Sequence, residues 1–168
     1  MFSRILVAVS AGSINTVLGS AVEIARKHDA SILALHVVDS SPCLMWPIEY
    51  DVGLVVEAME ANGRHMVSRM ANVLDSHAQL AETRMVTLPL SGCSVGRAIA
   101  AAADSSDVDL ILLGERNANW WNFFSENVAA QVRRHTDTPI QVVSSQLGVS
   151  PTRRAAGRFA GTPAAGAR

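Results

Sequence analysis

Apolar and polar positions along the chain alternate between short continuous apolar runs and longer helical patterns. Ile5 to Val9 (ILVAV) is a continuous apolar run, the mark of a strand covered on both faces. Ser10-Ala11-Gly12-Ser13 breaks it. A helical stretch follows from about Asn15 to His28, with Val17, Leu18, Ala21, Val22, Ile24 and Ala25 on one side and Glu23, Arg26 and Lys27 on the other. Gly19 weakens that helix by about 1 kcal/mol relative to alanine. Asp29-Ala30 reads as a turn, and Ile32 to Val38 (ILALHVV) as a second buried strand. In the loop from Asp39 to Asp51, Pro42 and Pro47 exclude helix, and Trp46 and Tyr50 are expected to cover the sheet edge or the first helix.

The longest helical pattern runs from about Val52 to His77, with Leu54, Val55, Ala58, Met59, Met66, Val67, Met70, Val73 and Leu74 near helical spacing. Gly63 is expected to bend it, and its methionines read as core filler. Arg84 to Leu88 alternates between apolar and polar and predicts an edge strand. After the turn Pro89-Leu90-Ser91-Gly92, Ser94 caps a short alanine-rich helix through Ala103. The stretch Val108 to Val143 then repeats the theme. An apolar run stops at Gly114, a polar and aromatic loop follows, Ser125 opens a short amphipathic stretch, and Ile140 to Val143 is the last β-rich run.

Five strands joined by four helices of crossover length predict a single α/β domain, a doubly wound, Rossmann-like parallel sheet with helices on both faces. The order 3-2-1-4-5 puts the switch point between strands 1 and 4, where the loops after Val9 and Leu113 meet and where such sheets hold ligands.

Composition narrows the function classes. Of the 168 residues 49% are apolar and 17% charged, and the net charge is −1. That balance gives no electrostatic reason to expect nucleic acid or an anionic membrane as partner. The amino terminus does not read as a signal peptide, and no apolar stretch approaches the roughly 20 residues that span a bilayer. Cys43 and Cys93 lack C-x-x-C spacing, so neither a disulfide scaffold nor a structural zinc site is expected, and the expected location is cytoplasmic. Residues 145–168 carry Gly, Pro, Ala, Thr and Arg and almost no large apolar side chains. They predict a flexible basic tail behind a domain spanning 1–144, with a weak contact to an acidic partner as the alternative to no role.

Three pieces together resemble the universal stress protein family: the amino-terminal ILVAVSAGS, the ALHVVD that closes strand 2, and LILLG…VAAQVRRHTDTPIQVV. The resemblance implies a role in stress survival and usually a homodimer. In the ATP-binding branch of that family an Asp follows strand 1, and G-x-x-G, nine residues and Gly-Ser/Thr follow strand 4. The glycines let backbone amides approach the phosphates. This sequence departs from that motif. Ser10 stands where the Asp would be, Asn117 replaces the second glycine, the loop is one residue short, and Glu126-Asn127 occupies the place of Gly-Ser/Thr. The glutamate sets a like charge where a phosphate would sit. Trp120, Trp121, Phe123 and Phe124 make the loop bulky and apolar, similar to the branch typified by universal stress protein A. They read either as a surface for a protein partner or plug over the cleft, or as a hydrophobic lid packed on the last helix.

Other candidate chemistry is sparse. His28 and His135 lie near helix ends, His36 reads as a hydrogen-bonded core residue, and no histidine has a partner at metal-binding spacing, so no metal is expected. Cys93 precedes a helix amino terminus and reads as part of a capping turn, with a redox-sensitive thiol as the alternative. Asp107 and Asp109 flank strand 4 at the end opposite the crevice. No catalytic constellation emerges, and a non-enzymatic protein is expected. The leading expectation is a homodimer through the edge strand Ile140–Val143, acting by association with no cofactor. The alternative is an adenine-nucleotide sensor holding ATP or AMP in a degenerate cleft lined, by resemblance, by Ser10, Val38, Gly114 and Asn127.

Overall fold

The runs rich in valine, isoleucine and leucine form the strands, and the helical patterns between them form the crossovers. The computed structural model describes residues 1–45, 51–77, 80–114 and 128–143. Along the chain come β1 (Arg4–Ala8), α1 (Ile14–His28), β2 (Ser31–Val38), a short 3-10 helix (Ser41–Met45) and α2 (Val52–Asp75). They are followed by β3 (Ala81–Thr87), α3 (Val95–Ser105), β4 (Leu110–Gly114), α4 (Val128–Arg133) and β5 (Ile140–Val143). All neighbouring strands are parallel, in the order β3-β2-β1-β4-β5. The expected topology is the observed one.

Continuous apolar runs give each central strand two buried faces. Ile5, Val7, Ile32, Ala34, Leu110 and Leu112 pack in the core with α1 and α2, while Leu6, Leu33, Leu35, Ile111 and Leu113 pack with α3 and α4. Steps from β1 to β2 to β3 carry their helices on one face, and the step back to β4 and β5 carries them on the other. A single crossover hand requires that arrangement. Ala8 lies opposite Leu35 on one side and Leu113 on the other, so the ends of β1 and β4 are level.

Two local expectations need correction, and one glycine has a packing role the sequence did not show. β3 begins at Ala81, three residues before the apolar alternation starts, because Ala81, Glu82 and Thr83 pair through their backbones with Ile32, Leu33 and Ala34. Pro42 lies inside the 3-10 helix, where a residue of the first turn needs no N–H partner. Gly63 is a point of close packing: a Cβ there would stand 2.6 Å from Val38 Cγ2 and 2.8 Å from Met85 Sδ, so it lets α2 settle onto β2 and β3.

Side chains fix the ends of elements. Ser94 Oγ accepts from Arg97 N–H at 3.2 Å, capping α3 as expected, and Asp51 caps α2. At the amino edge of the sheet, Asp109 accepts the N–H groups of Ser3 (2.6 Å) and Arg4 (2.9 Å), which hold its carboxyl below the ordinary 3.8. The two sheet edges differ. On β3, Glu82 binds Arg84 at 2.8 Å and Arg4 at 2.7 Å, and chiefly the Arg84 hydrogen bond lowers its pKa. β5 reads IQVV and carries no charge.

Candidate functional site

The switch point expected from the strand order is present, and its walls come from the turn after β1, the end of β2 and the end of β4. The chain leaves β1 through Val9, whose N–H still bonds Leu35 O at 2.9 Å. It then turns at Ser10, where Ser13 N–H donates to Ser10 O at 3.1 Å. The two hydroxyls meet at 2.9 Å, and Ser13 O receives Val17 N–H as α1 begins. The Ser13 hydroxyl makes no capping bond to the helix. It is turned toward β4.

Gly114 explains that orientation. A Cβ on Gly114 would lie 2.6 Å from Ser13 Oγ, 2.8 Å from Ser13 Cβ and 2.8 Å from Val17 Cγ2. The glycine therefore admits the first turn of α1 against the end of β4, and Ser13, only 4% exposed, fills the space between. The family resemblance gives this glycine a phosphate-facing role; packing alone already requires it.

At the end of β2, Val38 is buried and its carbonyl accepts Leu88 N–H at 2.9 Å. Ser40, also buried, donates to Leu88 O at 3.0 Å. Asp39 Oδ1 accepts Ser41 N–H at 3.0 Å and the Ser41 hydroxyl at 2.6 Å, closing a tight turn. His36, one strand over from β1, donates Nδ1–H to Val9 O at 3.0 Å, so the expected hydrogen bond is present, but the residue is half-buried rather than part of the core. That bond satisfies a carbonyl at the crevice and leaves Nε2 as the ring's other nitrogen.

Ser10, Val38 and Gly114 thus share one end of the sheet, at the carboxyl ends of β1, β2 and β4. Asn127, Asn117, Glu126 and the aromatic cluster Trp120, Trp121, Phe123 and Phe124 lie outside the described residues. Sequence reasoning missed Ser13. The signal was available, since a serine just before an apolar helical pattern is a helix-start residue, but its contact across to Gly114 was not.

The described walls of the crevice are neutral or acidic. The turns Ser10–Ser13 and Asp39–Met45 contain no lysine or arginine. Among the described residues no group of three or more His, Cys, Asp or Glu side chains is placed to hold a metal ion. Cys93 is half-buried, its thiol 3.7 Å from Ser94 O, and Cys43 is buried 3.8 Å from Met59 Sδ. No described helix is long and apolar enough to cross a membrane.

Solved structures share this architecture. A protein of the universal stress protein family from Burkholderia pseudomallei is 22% identical, over 84% of this chain and 95% of that one, with a TM-score of 0.66. The universal stress protein UspA from Lactobacillus plantarum is 21% identical, over 84% of this chain and 97% of that one, with a TM-score of 0.65. A universal stress protein from Archaeoglobus fulgidus, solved in complex with dAMP, is 18% identical over 84% of this chain and 97% of that one, with a TM-score of 0.56. No match was found among curated protein sequences. The model of the universal stress protein family matches residues 1–144, the stretch that holds every strand and helix described above, and the chain belongs to that family.

Proposed function

We propose that this stress protein works by association, as a homodimer paired through β5, without bound ATP and without catalysing a reaction. The observation that carries this reading is the contrast between the two sheet edges. β3 is guarded by Glu82, Arg84 and Arg4, charges of the kind that discourage a second sheet from pairing. β5 offers Ile140, Gln141, Val142 and Val143 with no charge, and Val142 is 47% exposed. An unguarded apolar edge pairs well with its own copy about a two-fold axis. The crevice supports the absence of ATP, since its hydroxyls bond each other and no cation faces a phosphate from the turns Ser10–Ser13 and Asp39–Met45. Sedimentation velocity at micromolar concentration tests the dimer. Wild-type protein sediments as a dimer and Val142→Lys as a folded monomer; a monomeric wild type refutes the reading.

A second reading, an adenine-nucleotide sensor using ATP or AMP, has one specific support: the Archaeoglobus fulgidus relative was solved with dAMP. Ser10, Val38 and Gly114 would line that cleft together with Asn127. Acid extraction of purified protein, followed by chromatography, separates the readings. Co-purified nucleotide favours the sensor, and its absence together with no thermal shift on adding ATP or AMP favours association alone.

A further inference from the structure

We infer that the basic segment 145–168 docks in cis on the amino-terminal half of α2. The receiving surface lies on α2, the longest of the described helices. At 24 residues α2 is about 36 Å long, while the seven residues of β3 span about 23 Å, so the helix outruns its sheet by roughly two turns. The excess lies at its amino end, because its buried residues are Gly63, Met66, Met70 and Leu74. Before Gly63, Val52, Val55, Val56 and Met59 are only half-buried, and Leu54 is 64% exposed. Apolar side chains left this open mark an interaction surface.

The charged residues from Asp51 through Glu60 have one sign. Asp51, Glu57 and Glu60 precede the first basic residue of the helix, Arg64, which reaches Glu60 only at 3.9 Å. Asp51 is engaged in capping, and Glu57 is exposed. The chain as a whole is divided in the same sense. Residues 1–143 hold all 15 acidic residues and 10 of the 14 basic ones, a net charge of −5. The segment 145–168 holds Arg153, Arg154, Arg158 and Arg168, no acidic side chain, and three large apolar residues, Leu147, Val149 and Phe159. An acidic rim around apolar side chains fits a basic segment that carries apolar side chains of its own.

Reach permits the contact within one molecule. α2 leads from the carboxyl end of β2 to the amino end of β3, so its start and the end of β5 lie at the same, carboxyl end of the sheet. β5 stands three strands from β2 and four from β3, about 14 to 19 Å. Nine residues lie between Val143 and Arg153, and ten steps of extended chain span up to about 33 to 36 Å. A tethered partner inside that reach is present at an effective concentration near the millimolar range, enough for a weak contact to be occupied.

Hydrogen exchange of the full chain tests the inference. In low salt, the variant R153E/R154E/R158E should exchange about fivefold faster than wild type across residues 52–62, with α3 unchanged. Adding E57R and E60R to that variant should restore the slower rate, and about 0.5 M salt should erase the difference. Equal rates in wild type and variant overturn the proposal. So does an acceleration shared by α3, which would report a weakened fold. Protection that rises with protein concentration would place the segment on a second copy and overturn docking in cis.

Discussion

Replacing Gly114 with alanine drives a methyl group into the amino end of α1. The new carbon would meet Ser13 Oγ at 2.6 Å, Ser13 Cβ at 2.8 Å and Val17 Cγ2 at 2.8 Å, all closer than carbon packs. Neither neighbour can step aside easily, because Ser13 and Val17 are buried. Strand and helix must part by several tenths of an ångström, and overpacking of this kind costs about 1–3 kcal/mol. Against that, alanine restricts the unfolded chain and returns about 0.4–1 kcal/mol. The net expectation is a loss of about 1–2 kcal/mol. Gly19 supplies the control, since a Cβ there meets nothing within 4 Å and the site is exposed in the middle of α1. Gly19→Ala should stabilise by about 0.5–1 kcal/mol. The same chemical change at two glycines thus has opposite signs. With a urea slope near 2 kcal/mol per molar, the two midpoints should differ by about 1 M. Ser13→Ala in the Gly114→Ala background removes the 2.6 Å contact but neither 2.8 Å contact, so it should recover only part of the loss. A Gly114→Ala midpoint as high as that of Gly19→Ala would refute the packing argument and return this glycine to a purely ligand-facing role.

Three further outcomes follow from the fold. Gly63→Ala should cost about 1–3 kcal/mol in urea denaturation, because Val38 Cγ2 stands 2.6 Å from the new carbon while only the Met85 sulfur at 2.8 Å can swing clear. Ser94→Ala should cost about 1 kcal/mol by the same assay, through loss of the bond from Arg97 N–H. Asp109 has a depressed folded pKa, so its contribution is present above the unfolded value and fades as pH falls through the folded one. Asp109→Asn should therefore lower stability at pH 7 and flatten the acid limb of the denaturation profile below 3.8, and an unchanged limb would contradict the clamp on Ser3 and Arg4.

The fold was legible because its central strands are buried on both faces and so spell out continuous apolar runs, and because parallel strands with helical crossovers leave few topologies. Legibility fell where structure depends on a distant partner. The first half of β3 has no apolar pattern, since its backbone pairing with Ile32 to Ala34 does what side-chain burial does elsewhere. The close packing at Gly63 was invisible because sequence shows a glycine in a helix but not Val38 and Met85 beneath it. Pro42 looked prohibitive because proline forbids a helix interior, whereas a single 3-10 turn has hardly any interior. Ser10, Val38 and Gly114, named from the family resemblance, lie at the carboxyl ends of β1, β2 and β4. Their engagement with Ser13 and Leu88 was invisible, because those partners are 3 to about 100 residues away and no local rule joins them.

The ionic cluster on β3 bears on how large an assembly of this chain can grow. A sheet with two receptive borders could add subunits end to end without limit, as a ribbon. Arg4, Glu82 and Arg84 guard one border, so the pairing proposed through β5 would end growth by strand addition after one step. Replacing Glu82 and Arg84 with valine or threonine would leave the fold's interior untouched while opening a route to fibres. The cluster therefore protects solubility more than it supports the fold.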